Sequence, residues 1–257
     1  MKTFSQRKMV RKMQFISDQE GIMNRYLREK DNWDSHLDNT KDFINASFKG
    51  REISTVAVLG SGWLLDLPLK KLSERFKKVL LVDVHHPPQV HKKVEKYDNV
   101  ILFETDLTGG GIEFCWELRI KKGDHFKTHV LDDFEPKRPD LPIKVDAYIS
   151  LNLLNQLDIL LVDFLKRKNG RFLEDEYDRF RKNLQDFHLE WITKKPACLI
   201  SDVLEINVCD EGIEEKQLIY TEFPEAKRNG EWTWDFDLSG QYQEDCKTSM
   251  FVRAFEW

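Results

Sequence analysis

Residues Thr55–Asp83 read TVAVLGSGWLLDLPLKKLSERFKKVLLVD, and this stretch decides the fold. Val56, Ala57, Val58 and Leu59 form a short apolar run that stops at Gly60-Ser61-Gly62. A second run, Val79 to Val82, stops at Asp83. Such runs, bounded by glycine or acid and separated by a charged amphipathic segment, predict strand, glycine turn, helix and strand. Glycines let a ligand approach the backbone, and the helix that follows offers free N–H groups. An acid roughly 20 residues further on is placed to accept from ribose hydroxyls. The unit therefore predicts a nucleotide-type ligand at Gly60, Ser61, Gly62 and Asp83.

Outward from this unit the alternation continues. A helix is expected from about 65 to 76, strands at 79–83 and 99–104, and a helix from Gln89 to Lys96 between them. The third strand, NVILFE, leads into Thr105-Asp106-Leu107-Thr108 and then Gly109-Gly110-Gly111, read as a flexible turn. Residues 112–142 carry no clear period, and Pro136, Pro139 and Pro142 argue for loop late in the stretch. Val145–Leu151 reads as a fourth strand, Leu153–Lys168 and Leu173–Ile192 as helices, and Ala197–Val208 as a fifth strand. Lys216–Glu222 and Ser249–Trp257 read as a closing hairpin, joined through a long insertion around Trp232 and Trp234. Strands alternating with helices predict an α/β protein with a parallel sheet covered on both faces. The strand ends bearing glycine, acid and asparagine then gather at one edge, where open α/β sheets bind ligands.

Before the first strand, residues 3–48 read as two or three helices, with Met9, Met13 and Ile16 and then Ile22, Tyr26 and Leu27 close to helical spacing. The division expected is a helical cap over residues 1–50 and an α/β domain over 51–257. Lys2, Arg7, Lys8, Arg11 and Lys12 stand ahead of the first acid, Asp18. A solvated helix face is the favoured reading of this basic run, contact with an anionic partner or membrane surface the alternative.

The 257 residues, 40% of them hydrophobic and 33% charged, suffice for one large domain with a sizeable core. A net charge of −5 gives no general attraction to nucleic acid. No apolar run reaches the roughly 18 residues of a membrane span, and the N-terminus lacks the apolar stretch of a secretory signal. A cytoplasmic location is the expectation. Cys115, Cys198, Cys209 and Cys246 are far apart without a CxxC pair, so neither a zinc ribbon nor a disulfide framework is expected. Cys198, inside ACLI, is read as a buried inert thiol.

At this point the residues resemble a known family, the class I S-adenosylmethionine-dependent methyltransferases, over about residues 50–257. Leu59-Gly60-Ser61-Gly62 is similar to the family's glycine loop. Asp83, with Val84 after it, matches the acid that holds the ribose hydroxyls, and Asp106, with Leu107, the acid that accepts from the adenine amino group. Ser150-Leu151-Asn152 stands where the fourth strand delivers residues to the cofactor and acceptor. The resemblance implies a Rossmann-like doubly wound, mostly parallel sheet with an antiparallel C-terminal strand, S-adenosylmethionine as cofactor, and methyl transfer to an acceptor that the sequence does not name.

The chain departs from the pattern in three places. Val58 replaces the usual acid two residues before the first glycine, and Leu64 stands at the position of a third glycine. After Asn152 come Leu153-Leu154 rather than the Pro-Pro-aromatic signature for methylating an amino group on a base. The string GSGWLLDLPL is instead similar to the loop of nicotianamine synthase-like enzymes, which transfer the aminopropyl group of the same cofactor. Methyl transfer leads, with aminopropyl transfer and a non-catalytic binding module as alternatives. A nicotinamide-dependent dehydrogenase is disfavoured by the missing third glycine.

Other residues admit two readings. Asp83 and Asp106 are read as ligand-binding, although either could cap a helix. His85, His86 and His91 are read as loop residues bordering the adenine pocket, with a general base possible at His85 or His86 and a metal disfavoured. Trp232, Trp234, Phe236 and Trp257 either close the core of the last hairpin, the favoured reading, or stack on a flat substrate.

Overall fold

The computed structural model describes residues 4–118, 131–168 and 172–257. Lys2, the first residue of the expected helical region and the middle of the unassigned stretch lie outside the described residues. The chain opens with helices α1 (Phe4–Lys12) and α2 (Phe15–Ala46), hinged at Gln14 with φ of 73°. Helix α2 bends where Glu29 leaves helical geometry, at φ −104° and ψ 17°. On α1 the side chains of Arg7, Lys8, Arg11 and Lys12 are exposed while Met9 and Val10 are buried, the arrangement of a solvated face.

Next come β1 (Thr55–Leu59), α3 (Leu69–Arg75), β2 (Lys78–Asp83), α4 (Pro88–Val94), β3 (Val100–Glu104) and α5 (Gly111–Leu118). They are followed by β4 (Ala147–Leu151), a single 3-10 turn (Leu154–Gln156), α6 (Ile159–Lys168) and α7 (Glu174–Ile192). The chain closes with β5 (Ala197–Cys209), β6 (Gly212–Gln217), β7 (Arg228–Asp237) and β8 (Lys247–Glu256). The sheet runs β3-β2-β1-β4-β5-β8-β7, with β6 on the far half of β5. The first five strands in that order are parallel, while β8 is antiparallel to both β5 and β7. This is a Rossmann-like, doubly wound and mostly parallel sheet with an antiparallel end.

Successive residues of β1 serve opposite cores, as the period of two demands. Val56 and Val58 pack with Trp33, Phe43, Leu72 and Val90 of α2, α3 and α4. Ala57 and Leu59 pack with Cys115, Leu161 and Leu184 of α5, α6 and α7. Burial on both faces is why these strands read as continuous apolar runs. Strand order reverses between β1 and β4, so the crevice that α/β sheets use for ligands opens at their C-terminal ends.

The structure corrects four expectations. The helix expected from 65 begins at Leu69, after Pro68. Gly109 and Gly110 make the expected turn, with φ of 69° and 100°, but Gly111 already belongs to α5. Lys216–Glu222 does not pair with the last strand. Instead β6 folds back on β5, and Trp232 and Trp234 sit within β7, which pairs with β8 on the side away from β5. Finally, Cys209 and Cys246 form a disulfide, against the expectation of no disulfide framework. Cys209 ends β5, Cys246 immediately precedes β8, and pairing of Val208 with Lys247 brings their Cα atoms to 4.3 Å. Spacing along the chain carried no sign of this, because the contact is made across strands. Cys198 is buried as expected, its thiol pushed up to about 12 by desolvation.

Candidate functional site

The glycine turn after β1 is shaped by two different demands. Gly60 (φ 78°) donates to Val82 O at 3.0 Å, and a Cβ there would lie 2.7 Å from Leu151 O and 2.9 Å from Leu153 Cβ. It is a glycine of close packing, where the turns after β1 and β4 touch. Gly62 (φ 46°) has no heavy atom within 4 Å of such a Cβ, so its backbone faces open space. Leu64, at the third-glycine position, adopts φ 58° while buried. A left-handed leucine costs about 1–2 kcal/mol, which packing in the core must offset.

Asp83, at the end of β2, is held from three directions. Gly62 N donates to Oδ2 at 2.8 Å, and Val84 N donates to Oδ1 at 2.7 Å. Gln19 of α2 donates through Nε2 to the same Oδ1 at 3.0 Å, and its backbone carbonyl accepts the Trp63 indole N–H at 2.7 Å. The histidines beyond diverge: His85 Nδ1 lies 3.1 Å from Glu104 Oε1, and His86 Nε2 lies 3.0 Å from Ser61 Oγ. Among the described residues no group of histidine, cysteine and acid side chains is arranged to hold a metal.

Asp106 follows β3. Its Oδ1 accepts from Thr108 N at 2.8 Å and from Thr108 Oγ1 at 2.5 Å, and desolvation holds the carboxyl above its ordinary range. It thus organises the entry to α5 while also facing the cavity described below. Leu107 is buried beside it. Asn152, after β4, has φ 45° and donates through Nδ2 to Asp66 Oδ2 at 3.0 Å. Burial pushes the Asp66 carboxyl up to about 6, against the opposing pull of Asn152, Lys41 and Lys93.

All eight residues singled out in the sequence line one cavity of about 560 Å³ at the C-terminal edge of the sheet. Helix α2 forms part of the wall through Gln19, Ile22, Arg25 and Trp33. Beyond the β1 and β4 turns the cavity becomes acidic and aromatic. Asp202 and Glu205 both line it, although residues three apart on a regular strand face opposite ways. A bulge explains this: Asp202 pairs with Val252 and Leu204 with Phe251, leaving Val203 as the extra residue.

Asp202 is 4% exposed, and burial with the like charges of Asp66 and Glu205 pushes it up to about 7. Asp158 is also raised to about 7 by burial, although Arg181 Nε stands 3.2 Å from its Oδ2. Glu205 is satisfied, accepting from Tyr242 at 3.2 Å and from Asn207 at 3.0 Å. On the opposite wall Trp234 stacks on His36 at 3.9 Å and meets Trp33 edge-on at 4.7 Å. Burial lowers His36 to about 3, so this imidazole is neutral. Trp234 and Phe236 thus serve core and cavity together, whereas Trp257 stacks on Phe255.

Sequence reasoning missed Gln19, Arg25, Asp66, Asp158 and Asp202. Only the last carried a signal: a carboxylate inside the apolar strand ACLISDVL is costly to bury without a purpose.

No known protein family and no curated protein matches the chain. Among solved structures it is similar to the N-methyltransferase NodS from Bradyrhizobium japonicum WM9 in complex with S-adenosyl-L-homocysteine. The identity there is 10% and the TM-score 0.38, with 85% of each chain covered. It is similar to the DhpI-SAM-HEP complex at 11% identity and a TM-score of 0.40, covering 93% of this chain and 96% of that one. A third likeness is to SAM-bound CalS10, an amino pentose methyltransferase from Micromonospora echinaspora, at 12% identity and a TM-score of 0.31. It covers 87% of this chain and 91% of that one.

Proposed function

We propose that this chain is an S-adenosylmethionine-dependent methyltransferase. Its cofactor site comprises Gly60, Ser61, Gly62, Asp83, Val84, Asp106, Leu107 and Asn152, with the acceptor in the lobe towards Asp202. The observation that carries this reading is convergence. Residues picked for the ends of four separate strands line one cavity of about 560 Å³, within the range of roughly 300–1,000 Å³ that small-molecule sites occupy.

The residues present suit the cofactor. Open space above Gly62 lets an amino-acid tail lie against the backbone, and Asp83 offers a carboxylate to ribose hydroxyls. The bound cofactor supplies a methyl group made electrophilic by its sulfonium. The protein's own task is to align and enclose: α2 walls the crevice, while Trp33 and Trp234 keep water from one side. Alignment and exclusion of water are most of what a direct displacement requires, so a conspicuous catalytic residue is unnecessary.

Calorimetry with S-adenosylmethionine, S-adenosylhomocysteine and NAD tests the reading. Both sulfur compounds should bind and NAD should not, and Asp83→Ala should weaken binding by about 10- to 100-fold, the loss of a hydrogen bond to a charged group. A folded protein that binds neither sulfur compound overturns the proposal. Product analysis separates the sister chemistry, since methyl transfer leaves S-adenosylhomocysteine and aminopropyl transfer leaves methylthioadenosine.

A further inference from the structure

The lobe of the cavity around Asp202 has a chemical character that the cofactor reading does not use. Eight acidic side chains line the cavity against three basic ones, Arg25, Arg181 and Lys216. Two of the three are already engaged: Arg181 pairs with Asp158 and Asp178, and Arg25 lies over Phe236 and Tyr242 near Asp237. Lys216 is exposed. The cavity as a whole is therefore short of positive charge.

Asp202 is where the shortage is sharpest. The charges that act on it are those of Asp66 and Glu205, both acidic. Its Oδ2 accepts only a long hydrogen bond from Asn155, at 3.4 Å, and its Oδ1 is buried without a partner. A second orphan stands in the same lobe, the buried indole N–H of Trp234. Buried polar groups in folded proteins are almost always satisfied, so an orphaned carboxylate oxygen on a residue that lines a cavity marks the place of an absent donor. A bulge has been inserted into β5 that turns Asp202 and Glu205 to the same side, which sets this carboxylate where a ligand can reach it.

We propose that this lobe binds an alkylammonium group, so that the acceptor is a primary or secondary amine held at Asp202 Oδ1, with its carbon body against Trp33 and Trp234. The inference rests on the methyltransferase reading for the word acceptor, but not for the binding itself. An ammonium supplies both the missing charge and the missing N–H donor. One proton then passes from nitrogen to Asp202 Oδ1, the N–H bond pair stays on nitrogen as its lone pair, and the amine becomes a nucleophile. A carboxylate raised towards neutrality by burial and by its acidic neighbours is suited to accept that proton. Asp202 is in this scheme a catalytic residue.

The test is calorimetry at pH 8 with 2-phenylethylamine and n-hexylamine, each against the alcohol of the same length, on the protein alone and with S-adenosylhomocysteine present. At least one amine should bind tenfold or more tightly than its alcohol. Asp202→Asn, which keeps shape but not charge, should abolish that preference while its melting temperature is not lowered and its S-adenosylhomocysteine affinity stays within twofold of the parent's. If neither amine outbinds its alcohol, or if Asp202→Asn keeps the preference, the inference is wrong. Failure of S-adenosylhomocysteine to bind while an amine does would remove the methyltransferase reading and leave the ammonium site standing. The reverse result would do the opposite.

Discussion

Gln19 of the N-terminal helix donates to Asp83 Oδ1 at 3.0 Å, and the same oxygen accepts Val84 N at 2.7 Å. An sp² oxygen has two lone-pair sites, so Oδ1 is filled by the protein itself. A ribose hydroxyl aimed at this oxygen must displace the amide of Gln19. Helix α2 is thereby coupled to Asp83 across a sequence separation of 64 residues.

Removing the competitor should help the ligand. Gln19→Ala is expected to tighten S-adenosylhomocysteine binding by about two- to tenfold, the worth of one net hydrogen bond. Titration calorimetry of the variant against the parent measures it. A weakened affinity would mean that Gln19 itself contacts the cofactor, contrary to the arrangement proposed.

The two glycines of the turn should respond differently to alanine. At Gly60 the added methyl meets Leu151 O at 2.7 Å in a left-handed conformation, and roughly 2–4 kcal/mol of stability should be lost. At Gly62 the methyl meets nothing within 4 Å, so only the backbone penalty of about 1 kcal/mol applies. Its affinity for S-adenosylhomocysteine should nonetheless fall tenfold or more, because the methyl occupies the space the ligand needs. Urea unfolding and calorimetry on both variants decide this; equal stability losses would show the turn is not divided between packing and binding.

The α/β core was legible because its signals are local. Runs such as VAVL and VLLV are apolar on every residue, since both sheet faces are covered, and the acid or glycine that ends each run marks the C-terminal edge of the sheet. What stayed hidden depends on contacts between distant segments. The hairpin of β6 on β5, the partner of β8 and the Cys209–Cys246 bond are set by sheet register. Gln19 reaches the site only through the packing of α2, and Glu205 faces it only because of a bulge. Neither event leaves a period in the sequence. Asp106 shows a further limit: a single acid both orders a helix entry and lines the cavity, and the sequence offered the two roles as alternatives.

The disulfide closes a loop of 37 residues that includes β6 and β7. On a chain-entropy estimate, a loop of this length is worth roughly 3–4 kcal/mol. Replacing both Cys209 and Cys246 by serine should lower the urea midpoint accordingly, and a thiol reductant should do the same to the parent without affecting the variant. A parent whose unfolding is indifferent to reductant would show that the bond contributes nothing to stability.

Asp202 gives the pH dependence its clearest signature. In the unfolded chain its carboxyl ionises near 3.8, but in the folded protein it does so at about 7. Between these values the folded state binds the extra proton, so stability falls as pH rises from about 4 to 7 and is level above. At roughly 1.4 kcal/mol per pH unit of displacement, the loss is on the order of a few kcal/mol. Asparagine cannot ionise, so Asp202→Asn removes this component. The stability difference, variant minus parent, should therefore grow between pH 4 and pH 7 and then stay constant. Asp66 and Glu205, the charges facing Asp202, remain in both proteins, although removing one negative charge also eases the ionisation of Asp66 and adds to the gain above pH 6. Urea unfolding of both proteins across pH 4–8 gives the curve. A flat difference would mean that Asp202 is ionised throughout and already paired, which would also remove the base from the ammonium site.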